Sequence, residues 1–396
     1  MLDNLTIEEK IGQMLMFGTN SSNIEPICNL IKNYKIGGVI LYKKNYSSYK
    51  EMLEVIKKLK DANKDNKLPL FIAVDQEGGV VNRLPNDIEN IKNIYDVSKK
   101  DNVDLIKEHA DIISNILYNS GINMNFSPVL DIYNNSNSSV LNKRCFSDDV
   151  EKVSLYGTIY MNEIKNNGII PVVKHFPGHG ITKLDSHYFL PYVFNYKKVL
   201  SREIIPFENA INEGCEAIMV SHLIIRKLSG LLPCSISRKF ITKYLRERYN
   251  YNGLVITDDL RMKLVDLIYG SASLKKAFLS GSDIILLKYK ENDEELFDLL
   301  YKYANKKSVI ENINKSVLRI IDIKDKYKVD DSKFENISID NINAMIKKYN
   351  SLFWLLKKCK NIKKNFTLLI FIVIIYLWNR DGKVVILWVS LVFKVK

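Results

Sequence analysis

Apolar positions along the chain follow two alternating patterns. Short continuous runs occur at residues 14–17, 38–41, 70–74, 122–126, 169–173, 217–220, 254–256 and 283–287. Such runs read as strands buried on both faces. Between most of them apolar residues recur at helical spacing. Met52, Leu53, Val55, Ile56 and Leu59 share one face, as do Leu105, Ile112, Ile113 and Ile116, the latter after a polar start at 98–101. Thr6, with Glu9 three residues on, reads as an N-cap and its capping-box partner. Eight buried strands alternating with helices over roughly 290 residues predict an α/β fold, a (β/α)8 TIM-type barrel. A doubly wound open sheet is the alternative, because periodicity does not reveal closure. A helical stretch at 291–327 is expected to complete the barrel.

The pattern changes near residue 329, so 1–329 are expected to form the barrel domain and 330–396 an extension. Residues 330–350 are polar and moderately helical, 357–364 form a basic cluster, and 366–378 carry no charge. After a turn-like break at 379–383, residues 384–393 form a second apolar run. Each run is shorter than the roughly 20 residues of a membrane-spanning helix. Three readings stand side by side. One is a membrane-associated hairpin flanked by basic residues. Another is a β-hairpin around Asp381 and Gly382 packing on the barrel. The third is a shifted reading of AT-rich coding sequence with no selected structure.

The 396 residues are 46% hydrophobic and 26% charged, as expected of a globular protein for most of its length. A net charge of +13 raises the question of nucleic acid, but nine Lys or Arg against one Asp lie beyond residue 350. The body has no basic stripe with interleaved aromatics, so no nucleic-acid partner is expected. Five scattered cysteines without a C-x-x-C argue for a reducing compartment and against a disulfide framework. No charged leader precedes an apolar core at the N-terminus, which leads to the expectation of a cytoplasmic protein, with membrane association through residues 366–393 as the variant.

Chemistry collects at the ends of the strands. The third run ends in Asp75-Gln76-Glu77-Gly78-Gly79, followed by Arg83; the fourth leads to Asp131 and later Arg144-Cys145-Phe146. The fifth stops at Lys174-His175, the sixth at Ser221-His222 and the seventh at Thr257-Asp258-Asp259. In a barrel these ends converge on one face, so residues 75, 174, 175, 222 and 258 would share one pocket. Asp259, just before Leu260, also reads as a turn or helix cap. The densest stretch is KHFPGHGITKLDSHY at 174–188, where Pro177, Gly178 and Gly180 make an irregular loop.

The segments VDQEGG with the following Arg83, RCF, KHFPGHG-x4-DSH and ITDDL, with LTIEEKIGQML at the start, resemble glycoside hydrolase family 3 in its β-N-acetylglucosaminidase branch. The likeness runs in order from about Leu5 to Tyr327. It implies a barrel, exo-hydrolysis of terminal β-linked N-acetylglucosamine, often from cell-wall (peptidoglycan) fragments, and no cofactor. It assigns Asp258 as nucleophile, His187 as acid/base and Asp185 as its partner. Asp75, Arg83, Arg144, Lys174 and His175 match the sugar-binding set. The chain departs from the family's β-glucosidases in lacking their second domain, and from the family generally in its tail.

These residue types suit the reaction. An anionic Asp below the anomeric carbon and a proton donor at the leaving oxygen are the two requirements of retaining glycoside cleavage. An imidazole titrating near neutral pH can donate and recover the proton, and an Asp two residues away can fix its tautomer. Three rivals remain. His175, His179, Asp185 and His187 can be written as metal ligands, although Lys174 would oppose a cation. An imidazole acid/base also tolerates phosphate as acceptor, which would make a phosphorylase. The third rival is an inactive, membrane-tethered glycan-binding protein.

Overall fold

A computed structural model describes residues 2–134, 141, 143–182, 191–304, 306–332, 337–365, 369–378 and 384–393, with side chains as far as Phe353. The chain divides into two compact units, Met1–Ile346 and Lys347–Lys396.

In the first unit the apolar runs become parallel strands: β1 Leu15–Gly18, β2 Gly38–Leu41, β3 Phe71–Val74, β4 Met124–Asn125, β5 Ile170–Pro171, β6 Val173–Phe176, β7 Ala217–Val220, β8 Leu254–Thr257 and β9 Ile285–Lys288. Six of them pair in the order β5-β4-β3-β2-β1-β9 and three in the order β6-β7-β8. Parallel bridges Val129↔Lys174 and Ile256↔Ile284 join the two sets, and β5 and β6 are one strand interrupted at Val172. The circuit therefore closes with eight strand positions, as the barrel expectation requires, and the open-sheet alternative falls. Nearly every strand residue is buried, because helices cover the outer face and side chains fill the inner one.

The covering helices bury the faces their spacing predicts. Tyr49–Asn63 turns Met52, Leu53, Val55, Ile56 and Leu59 inward, and Val103–Asn119 does so with Leu105, Ile112, Ile113 and Ile116. Thr6 and Glu9 form the expected reciprocal cap. Two boundaries differ from expectation. The stretch 291–327 is two helices, Glu294–Tyr303 and Lys307–Lys326. The fifth run does not stop before its charges: β6 carries Lys174 and His175 within the strand, the two joined by a cis peptide.

β4 keeps its backbone pairing, and asparagine amides extend the seam at both of its ends. Asn123 accepts from the Ile72 N–H (2.9 Å) and donates to the Leu70 carbonyl (2.9 Å). Asn125 does the same with Gln76, at 3.0 Å each way. These bonds carry the β3 side of the seam past Val74 and aim the following Asp75 at the barrel mouth.

In the second unit β10 Leu369–Trp378 pairs antiparallel with β11 Val384–Phe393, Leu369 opposite Phe393 and Trp378 opposite Val384. Asp381 and Gly382 lie outside the described residues. Among the described residues no helix is long and apolar enough to cross a membrane.

Candidate active site at the barrel mouth

Strand direction puts the charged residues at one end. Asp75 follows β3, Lys174 and His175 lie on β6, and Asp258 follows β8. Together with Arg83 and Arg144 they line a cavity of ≈ 370 Å³. That volume is in the range of small-molecule sites, roughly 300–1,000 Å³. All six candidates for nucleophile and sugar contacts that lie within the described residues thus meet in one place. Asp185 and His187 lie outside the described residues.

The basic groups are tied to carboxylates first. Lys174 Nζ donates to Asp75 Oδ1 and to Glu77 Oε1, both at 2.7 Å. Arg144 grips Glu77 in a two-point clamp, Nε and Nη2 each at 2.8 Å. Burial would raise the Glu77 carboxyl, but the Arg144 and then the Lys174 charge outweigh it and hold it well below the usual carboxylate range. Glu77 stands in the VDQEGG segment, yet sequence reasoning assigned it no role. Arg83 is held by its backbone, its N–H on Gln76 Oε1 (2.7 Å) and its carbonyl accepting from the Tyr46 hydroxyl (2.9 Å). Among the described residues its buried Nε has no partner, which leaves a donor for a ligand.

Asp131 organises the opposite wall. Its Oδ2 accepts from His175 Nδ1 at 2.6 Å, and its Oδ1 accepts from the His179 backbone N–H at 2.6 Å. A carboxylate that accepts from Nδ1 fixes a hydrogen on that nitrogen and orients the ring. Burial would raise the Asp131 carboxyl too, but His175, by charge and hydrogen bond, and then His179 keep it low. The loop after β6 depends on Gly178, whose φ of +114 and close approach to Glu203 leave no room for a side chain. His179 follows on the cavity wall. Burial pushes its imidazole down to about 4, so the ring is neutral; Nδ1 meets the Thr182 hydroxyl at 3.1 Å, and among the described residues buried Nε2 has no partner.

The two adjacent aspartates take different roles. Asp258 faces the cavity with its Oδ1 on the Asp259 N–H (2.9 Å). Asp259 turns its Oδ1 to the N–H groups of Arg261 (2.9 Å) and Lys288 (3.1 Å), the capping role open to it from the sequence. One expectation fails. His222 does not join the cavity lining; fully buried, it binds the Ser235 hydroxyl (2.6 Å) and the Asp259 carbonyl (2.9 Å). It props the turn behind Asp258, because a buried imidazole between two strands satisfies itself on the nearest polar atoms. Among the described residues no group of three or more His, Cys, Asp or Glu is placed to hold a metal ion.

Comparison with known proteins adds a family context. A model described as the N-terminal domain of glycosyl hydrolase family 3 matches residues 6–323. The β-hexosaminidase of Tolumonas auensis is 32% identical over 262 residues, which is 65% of this chain and 77% of that protein. β-Hexosaminidase A of Pseudoalteromonas piscicida is 29% identical over 329 residues, 76% of this chain; the chain spans about half the length of that relative, 55%. A glycoside hydrolase family 3 β-N-acetylglucosaminidase from Paenibacillus sp. str. FPU-7 superposes with a TM-score of 0.79 at 30% identity, covering 87% of this chain and 68% of that one.

Proposed function

The chain belongs to glycosyl hydrolase family 3, and from that premise we propose that it is a retaining exo-β-N-acetylglucosaminidase acting on cell-wall (peptidoglycan) fragments in the cytoplasm. The observation that carries the reading is the arrangement around Asp258. A strand-end carboxylate faces a sugar-sized cavity whose walls are the Lys174–Asp75–Glu77–Arg144 lattice and His175. The named hexosaminidase relatives support the activity, and the four buried free cysteines suit a reducing compartment.

In this mechanism the terminal sugar enters with its hydroxyls on Asp75, Lys174 and Arg83. Asp258 attacks the anomeric carbon as the leaving oxygen departs, and a covalent glycosyl-aspartate forms. His187, oriented by Asp185, gives its proton to the leaving oxygen. It then takes a proton from the water that cleaves the intermediate, restoring Asp258 and giving overall retention. The fixed carboxylate of Asp258 needs no rearrangement as positive charge develops on the ring.

Turnover of aryl β-glycosides differing only at the 2-position tests the assignment. The acetamido sugar should be preferred to the hydroxyl sugar, because only a pocket shaped for that group gains from it. Equal or better kcat/KM on the β-glucoside would overturn the substrate assignment. Faster product release with phosphate than without would convert the hydrolase to a phosphorylase. His187→Ala, tested with azide as external nucleophile, addresses the acid/base: it should fail most on poor leaving groups and be rescued with a β-glycosyl azide as product.

A further inference from the structure

One polar group of the cavity has no part in the lattice or the mechanism above. Tyr42 directly follows β2, with extended backbone and its N–H held by Asn45 Oδ1 at 2.6 Å. The next residues turn into the short helix Lys43–Asn45, so the Tyr42 side chain is set where strand gives way to turn. Its ring lies against bare backbone, since a Cβ at Gly18 would come within 2.6 Å of Tyr42 Cε2. The residue lines the same cavity as Asp75 and Asp258. Among the described residues its hydroxyl takes no hydrogen-bond partner.

The surroundings decide what such a hydroxyl can do. Burial first, then the charges of Asp259 and Asp75, push the phenol well above its ordinary range, with Arg83 opposing and Asp258 adding to the rise. Tyr42 is therefore a neutral donor facing a wall rich in carboxylates, and it is bonded to none of them. Asp75 has its Oδ1 on Lys174, which leaves Oδ2 as an acceptor on the same cavity. A donor and an acceptor lining one cavity match a sugar hydroxyl, which can accept one hydrogen bond and donate another.

We propose that Tyr42 is a further substrate-binding residue, its phenol donating to the same sugar hydroxyl that donates to Asp75. The inference rests on the glycosidase reading and adds a specificity contact to it. A hydroxyl that loses either partner is left under-satisfied in a desolvated pocket, so the pair selects sugars carrying a hydroxyl at that position. The packing of the ring against Gly18 is independent of the oxygen.

Tyr42→Phe in the full chain separates the two roles. On an aryl N-acetyl-β-glucosaminide, kcat/KM should fall about 3- to 10-fold, the worth of one uncharged hydrogen bond. The melting temperature should stay unchanged, because the hydroxyl has no partner among the described residues. On analogues lacking one hydroxyl in turn, the penalty should vanish for a single analogue. That same analogue should be the one on which Asp75→Asn matters least. Unchanged kcat/KM, an equal penalty on all analogues, or a lowered melting temperature each overturns the inference. Absence of wild-type turnover on either sugar defeats the proposed activity instead. Tyr42 is then judged by calorimetric binding of free N-acetylglucosamine and glucose, where equal affinities, or no binding, overturn it.

Discussion

Two lysines are withdrawn from water at opposite ends of the barrel, each 1% exposed, and their surroundings differ. Lys174, at the mouth, sits 2.7 Å from each of two carboxylates. Lys324, at the floor, reaches only neutral oxygens, Gln13 Oε1 at 2.7 Å and the Gly37 carbonyl at 3.4 Å, and lies over the Phe71 ring at 4.6 Å. Burial draws the Lys324 amine down to about 7, with Asp331 opposing. The mouth thus stores matched opposite charges, which a polar ligand can address. The floor carries a single basic group whose neutral form is favoured, which suits a plug of the core and nothing that binds a sugar. Functional and structural burial of the same side chain differ in whether counter-charges were brought along.

Five experiments break or sharpen this contrast. Asp258→Asn, at the mouth, keeps shape and removes charge; hydrolysis should fall by several orders of magnitude with sugar binding largely kept, measured by turnover and calorimetry. A fluorosugar label should mark the wild-type peptide containing Asp258, and a label on Asp259 would move the nucleophile by one residue. Lys174→Met strands Asp75 and Glu77 against each other. It should cost about 3–5 kcal/mol in denaturant unfolding and roughly 10²-fold or more in kcat/KM.

Lys324→Met should act in the opposite sense. A buried lysine with a lowered folded-state pKa binds fewer protons than the unfolded chain between about pH 7 and pH 10.5, so its contribution becomes less unfavourable as pH rises through that window. The variant should therefore equal the wild type or exceed it by up to about 4 kcal/mol at pH 7, and the gap should close toward pH 10. A destabilised variant at pH 7 would show that the amine's hydrogen bonds outweigh its desolvation. The smallest effect is expected from a chain ending at Asn350. Every described residue that lines the cavity belongs to Met1–Ile346. Activity should stay within roughly twofold, and an insoluble truncation would show that the tail fills part of the core.

What could be read from the sequence follows from how local each cause is. The eight strands announce themselves because burial on both faces makes each run apolar by itself. Asp75, Lys174 and Asp258 were legible because strand ends in a barrel share a face. Glu77 was not assigned because its meaning lies in Arg144, 67 residues away, which no spacing rule reaches. Asp131 is equally hidden, 44 residues from His175. His222 was misplaced because a strand-end histidine looks the same whether it faces a ligand or a buried serine. The break in the helical stretch at 291–327 was missed because its apolar face continues across the gap.

Asp131 also bears on how this mouth can change over generations. One carboxylate orients the His175 ring and, through the His179 N–H, pins the path of the loop that follows. A substitution there is read out twice, in the tautomer of one ring and in the course of the backbone beside it. Changes at 131, 175 and 179 should accordingly be epistatic: each tolerable only on the background of the others, with effects that do not add. Drift at the three positions is then expected to proceed by joint moves.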